Sequence, residues 1–168
     1  HGYREVGQEY LQNVLDTAKQ LDAYDSGRIY YYLGEYQKAY LALDEARDKG
    51  GADSYLYLGR AYAATGDYNY ASSVYNNYLS KQGPNAEIYN ELGLCEMAKK
   101  EYQNALAAFQ AGKQIEGNSL MQTLCFNEIV AYEYLEDYQQ AEVLMNAYLQ
   151  NYPDDQAAIR EQQFLSTR

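Results

Sequence analysis

Two arginines stand at matching places of an internal repeat: Arg28 within Gly27-Arg28-Ile29-Tyr30, and Arg60 within Gly59-Arg60-Ala61-Tyr62, 32 residues further on. A guanidinium presents a planar fork of N–H donors that fits a carboxylate with two parallel bonds. Two forks repeated at one interval suit an acidic peptide or a carboxylate group, and nearby tyrosines would add apolar contact. Tyr24, Tyr31, Tyr32, Tyr57 and Tyr134 are the candidate recognition rings. In the alternative reading each arginine pairs with a neighbouring acid, such as Asp25, Asp53 or Glu87, on a solvated surface.

The other reactive residue types assemble into nothing comparable. The one histidine is His1, at the terminus, which excludes a Ser-His or Cys-His nucleophile. Cys95 and Cys125 have neither the number nor the spacing of a disulfide framework or a zinc site, and read as small buried apolar residues. No Gly-rich phosphate loop or metal-ligand motif is present. Glu136-Asp137 and Asp154-Asp155 fall at expected helix starts, where carboxylates cap amides and complement the dipole. The sequence thus predicts no catalysis, no cofactor and no metal.

Composition narrows the partners. The formal charge of -11, from 24 acidic and 13 basic residues, repels nucleic-acid phosphates and anionic membrane surfaces. No stretch approaches the roughly 18 consecutive apolar residues of a membrane span. The apolar fraction is 47%, yet 22 tyrosines against 3 phenylalanines and no tryptophan put a hydroxyl on much of that surface, so rings can pack with their tips wet. The chain opens on His1 rather than Met and is read as a portion of a longer protein, which hides its compartment.

The elements that position the arginines come from a repeat of 34 residues. Tyr55, Leu58, Gly59, Tyr68, Ala71 and Tyr75 return as Tyr89, Leu92, Gly93, Tyr102, Ala105 and Phe109. Gly27, Arg28, Tyr30, Tyr36 and Ala39 supply an earlier copy, and Tyr138, Ala141, Met145 and Pro153 a later one. The units are a partial repeat at 3–19, full repeats at 20–51, 52–85, 86–121 and 122–155, and a closing helix at 156–166, all in one domain spanning 1–168. Within a unit, apolar residues recur at three and four, which predicts two helices parted by a turn such as Gly66-Asp67. Gly59 and Ala71 are expected to let two backbones approach, and Glu128 and Ile129, in the places of Leu92 and Gly93, to widen the fourth crossing. Tyr30, Tyr62, Tyr132, Tyr36, Tyr68, Tyr102 and Tyr138 are expected to be core.

This pattern of aromatic, Leu-Gly, tyrosine, alanine, aromatic and terminal proline resembles the tetratricopeptide repeat family. The resemblance implies an all-α fold, a right-handed superhelical solenoid of antiparallel helix pairs with about four full repeats plus terminal helices. It also implies a concave groove lined by the first helix of each unit. The family's lining positions fall on Tyr24, Arg28 and Tyr31, then Asp53, Leu56, Tyr57 and Arg60, then Glu87, Asn90, Leu94 and Met97, and finally Phe126, Asn127, Val130 and Glu133.

What the resemblance implies for function is a non-catalytic scaffold that binds a protein or peptide in that groove, as the adaptor portion of a longer bacterial protein. The alternatives are a structural spacer or self-association module, or the regulatory domain of a longer enzyme or transcription regulator. Family members that bind acidic chaperone tails carry bases at places where this sequence has Glu87 and Glu91, so that ligand is rejected.

Overall fold

The computed structural model describes residues 2–18 and 20–168, with side chains from Glu5 onward; His1 and Lys19, the last residue of the expected partial repeat, lie outside the described residues. Among the described residues all regular structure is helical: α1 Gly2–Thr17, α2 Ala23–Leu33, α3 Tyr36–Asp48, α4 Ser54–Ala64, α5 Tyr68–Gln82, α6 Ala86–Ala98, α7 Tyr102–Lys113, α8 Met121–Tyr134, α9 Tyr138–Asn151 and α10 Gln156–Leu165. Helices α2 to α9 follow one another as four pairs, with α8 starting at Met121. The chain divides into two compact units, His1–Gln82 and Gly83–Arg168, parted at the Gly83-Pro84 break.

Helix starts follow the side-chain chemistry. Asp22 accepts from the Asp25 amide at 2.7 Å, and Asn85 accepts from the Glu87 and Ile88 amides at 2.9 and 3.0 Å. Asp137 caps α9 through the Gln140 amide, and Asp155 caps α10 through the Ala157 and Ala158 amides. Each cap satisfies amides that the helix itself leaves unpaired. Of the two acid pairs, therefore, only the second member caps. Glu136 instead carries φ of 62° in the turn before α9.

That turn recurs in every pair. The four equivalent residues are Gly34, Gly66, Lys100 and Glu136, with φ of 79°, 84°, 65° and 62°. In each case the next residue's amide returns to a carbonyl inside the preceding helix, as Asp67 does to Tyr62 and Asp137 to Tyr132 at 3.0 Å. Glycine takes this left-handed conformation freely, whereas Lys100 and Glu136 take it at a cost.

The helix pairs close by fitting a large side chain into the room left by a glycine. A Cβ on Gly27 would lie 2.5 Å from Cγ of Leu43, one on Gly59 would overlap the Tyr75 ring, and one on Gly93 would overlap the Phe109 ring. Gly59 thus makes room for a ring from the next helix. In the last pair the bulk is redistributed: Ile129 replaces the glycine and Met145 the ring, at 1% and 0% exposure. Around these positions the first unit packs Ala39, Leu43, Tyr55, Leu58, Ala61 and Val74. The second unit packs Ala105, Leu106, Phe109, Leu124 and Ala131, and then Ile129, Met145, Tyr148, Ala158 and Leu165.

Of the tyrosines expected in the core, Tyr30, Tyr36, Tyr62, Tyr68, Tyr102, Tyr132 and Tyr138 are half-buried. Their rings flank the core while the polar ends stay near water. The enclosed tyrosines are Tyr55, Tyr75 and Tyr148. Cys95 is buried and Cys125 half-buried, and both are free thiols. On α1, Val6 and Tyr10 stand 66% and 67% exposed, while Leu11 and Val14 are half-buried.

Candidate functional site

Residues 24, 28, 31 and 32 fall on adjoining turns of α2, and 57 and 60 one turn apart on α4, so each set shares a face of its helix. The first unit brings these faces together around Tyr57. Its ring meets Tyr24, Tyr31 and Tyr32 edge-on, with centroids at 6.1, 5.7 and 5.9 Å, and its hydroxyl lies 3.1 Å from that of Tyr32. Edge-to-face contacts of this kind add to the stabilisation that area burial gives.

Both arginines converge on the same ring. The Arg28 guanidinium carbon lies 5.1 Å from the Tyr57 centroid and 5.2 Å from that of Tyr24, and the Arg60 carbon lies 5.6 Å from the Tyr57 centroid. Two cations therefore share one ring face system, each drawn by its quadrupole. Asp25 stands 3.7 Å from Arg28 on the same helix, a loose contact between half-exposed groups. Such surface pairs contribute little. Burial works against the Arg28 charge, but Tyr57, Tyr24 and Asp25 outweigh it and hold the guanidinium cationic. The side chain stays 40% exposed.

Apart from Asp53 and Leu56, the remaining expected lining residues lie in the second unit. The Asn127 amide donates to Asn90 Oδ1 at 2.9 Å, and Asn90 is 7% exposed. Leu94 is exposed. Phe126 sits against Tyr148 at 5.7 Å, packed beside the core of α8 and α9. Glu87 and Asp53 are exposed, while Leu56, Met97, Val130 and Glu133 are half-buried. The site thus resolves into an arginine–tyrosine cluster in one unit and an asparagine pair in the other.

One polar group escaped sequence reasoning. Glu128, in the place of a core leucine, is 5% exposed and pairs with Lys113, and it also accepts from Gln110 at 2.9 Å. An acid at a core position is the signal the sequence offers; the lysine that satisfies it comes from α7. Among the described residues no group of His, Cys, Asp and Glu could hold a metal ion, and no helix is long and apolar enough to cross a membrane.

Paired helices, repeated turns and small-to-large interlocking together define an all-α helical-hairpin repeat protein. A Tetratricopeptide repeat model matches residues 24–69 and 58–118, and a second matches 126–155. The chain belongs to the tetratricopeptide repeat family. Among solved structures it is similar to MamA of AMB-1, at 21% identity and TM-score 0.69, covering 96% of this chain and 81% of that one. The Cut9–Hcn1 assembly of APC/C matches at 19% identity and TM-score 0.68, over 98% of this chain and 33% of that one. The second TPR domain of human RPAP3, in complex with HSP70 peptide SGPTIEEVD, matches at 16% identity and TM-score 0.58, over 66% and 90%. At these identities the likeness is one of fold. No curated protein matches the chain.

Proposed function

We propose that the protein is a non-catalytic scaffold that binds a protein segment on the α2 and α4 face, with Arg28 and Arg60 receiving an acidic group of the ligand. The observation that carries this reading is the placement of two guanidiniums, 5.1 and 5.6 Å from one centroid, on the single ring of Tyr57. The tyrosines stiffen both cations before a ligand arrives, which lowers the ordering cost of binding. Tyr24, Tyr31 and Tyr32 then supply apolar contact beside the charge. In the second unit, Asn90, Leu94, Phe126 and Asn127 are proposed as a lining of that unit's own. The peptide seen on human RPAP3 supports segment binding as something this class does. Its acidic tail is not the proposed ligand, because Glu87 and Glu91 oppose it.

The experiment replaces the exposed Tyr32, beside Tyr57, by a photo-crosslinking phenylalanine analogue and maps the crosslinked segment by mass spectrometry. An acidic stretch of a partner, crosslinked in the wild-type background and lost when Arg28 and Arg60 are both alanine, is the expected result. Crosslinks indifferent to the arginines refute the proposal. A second reading, self-association, draws on the exposed Val6 and Tyr10 of α1. A solution mass that doubles with concentration, and reverts to monomer in Tyr10→Glu, favours it.

A further inference from the structure

A cleft of about 330 Å³ opens in the second unit between the end of α7, the first half of α8 and the second half of α9. Its walls are apolar, formed chiefly by Met121, Ile129, Leu144, Tyr148 and Tyr152. A volume of this order falls at the lower end of pockets that enclose small organic groups, which typically pair apolar walls with a few placed polar atoms. Here those atoms belong to the Lys113–Glu128 pair and Cys125. The cleft runs beside Ile129, where the last helix pair has given up the ring and glycine of the two pairs before it.

The charge at the cleft selects the ligand. Glu128 is 5% exposed and its charge is matched by Lys113, so the wall carries no net charge. A second carboxylate would face Glu128, a second ammonium would face Lys113, and neither could be desolvated there without a partner of its own. An ammonium has three donors. Glu128 engages one of them, which leaves donors for an uncharged acceptor. We infer that this cleft takes an uncharged apolar residue of a partner's peptide segment, Lys113 donating to that residue's main-chain carbonyl. The inference is independent of the arginine–tyrosine cluster, which lies in the other unit.

Cys125 lines the cleft and reports on its occupancy, whereas Cys95 is 3% exposed. The probe is N-acetyl-phenylalaninamide, the control N-acetyl-glutamate amide, and the readout the alkylation rate of Cys125 resolved from Cys95 by peptide mapping. At a probe concentration about three times the Kd read from its titration, alkylation should slow about fourfold, by mass action. Ala147 stands exposed at the rim, so Ala147→Trp should plug the cleft, slow alkylation without probe and abolish the probe's effect. The double change Lys113→Met with Glu128→Leu restores an apolar wall like that of Leu58 and Leu92; it should keep cooperative melting while weakening protection. Three results overturn the inference: no protection by the probe up to its solubility limit, equal protection by the glutamate control, or equally slow alkylation in wild type and Ala147→Trp.

Discussion

The ring of Tyr75 occupies the space that a side chain on Gly59 would need: Cε1 and Cζ lie where a Cβ would project from α4. Both residues are buried, so neither can move into solvent to make room. Gly59→Ala should therefore destabilise the protein by about 1–3 kcal/mol, the cost typical of overfilling a packed core. Gly93→Ala, against Phe109, should do the same, whereas Gly7→Ala meets nothing within 4 Å. That change should stabilise α1 by roughly 0.5–1 kcal/mol through helix propensity alone. Urea denaturation of the three variants separates the cases, and a shared direction of change would contradict the interlocking.

The four turns give a second prediction. Lys100 and Glu136 hold the conformation that Gly34 and Gly66 hold without strain. Lys100→Gly and Glu136→Gly should each raise stability by roughly 1 kcal/mol, since left-handed backbone costs a side-chain-bearing residue about that much. An unchanged or lower denaturation midpoint in both would show that the side chains compensate the strain.

Glu133 links stability to pH. Burial first, and then the charge and hydrogen bond of Glu161 on α10, push its carboxyl up to about 7 from an ordinary 4.5. Between those values the folded chain binds a proton that the unfolded chain has released. The stabilisation is thus complete below the unfolded value and is lost as pH rises through the folded one. Measured by denaturation from pH 5 to 8, Glu133→Gln should remove this component of the decline. Superimposable pH profiles for the variant and wild type would mean that the carboxyl is not protonated in the fold.

The Lys113–Glu128 pair should behave as a buried ion pair. Lys113→Met alone leaves the Glu128 carboxylate uncompensated and should cost about 3–5 kcal/mol, and adding Glu128→Leu should recover most of it. Recovery fails only if the pair contributes beyond mutual neutralisation.

The repeat was legible because Tyr55, Leu58, Gly59, Ala71 and Tyr75 are all buried in one hairpin, where Gly59 faces Tyr75, so the same residue types return wherever that hairpin does. What lies between units of the pattern was harder to read. Arg28 and Arg60 could be aligned from their spacing, but the ring between them depends on where rotamers carry Tyr57, which spacing leaves open. Glu128 looked like a spoiled leucine because its partner sits on another helix, 15 residues away. Lys100 and Glu136 gave no turn signal, since neither residue type marks left-handed backbone. Phe126 occupies a lining position by pattern yet rests on Tyr148, because the closest apolar surface lies on α9.

We propose that Arg28 and Arg60 act as one acidic-group receptor organised by Tyr57. It is tested by titrating the crosslinked partner segment, as a synthetic peptide, against wild type, Arg28→Ala, Arg60→Ala and the double variant, with helical content checked by circular dichroism. Each single change should weaken binding by roughly 1.5–3 kcal/mol, the range for a lost charged contact. The double change should depart from their sum by about 0.5 kcal/mol or more if one ligand group bridges both cations. Wild-type affinity in all three correctly folded variants would mean that the arginines are solvated surface and that the binding face lies elsewhere.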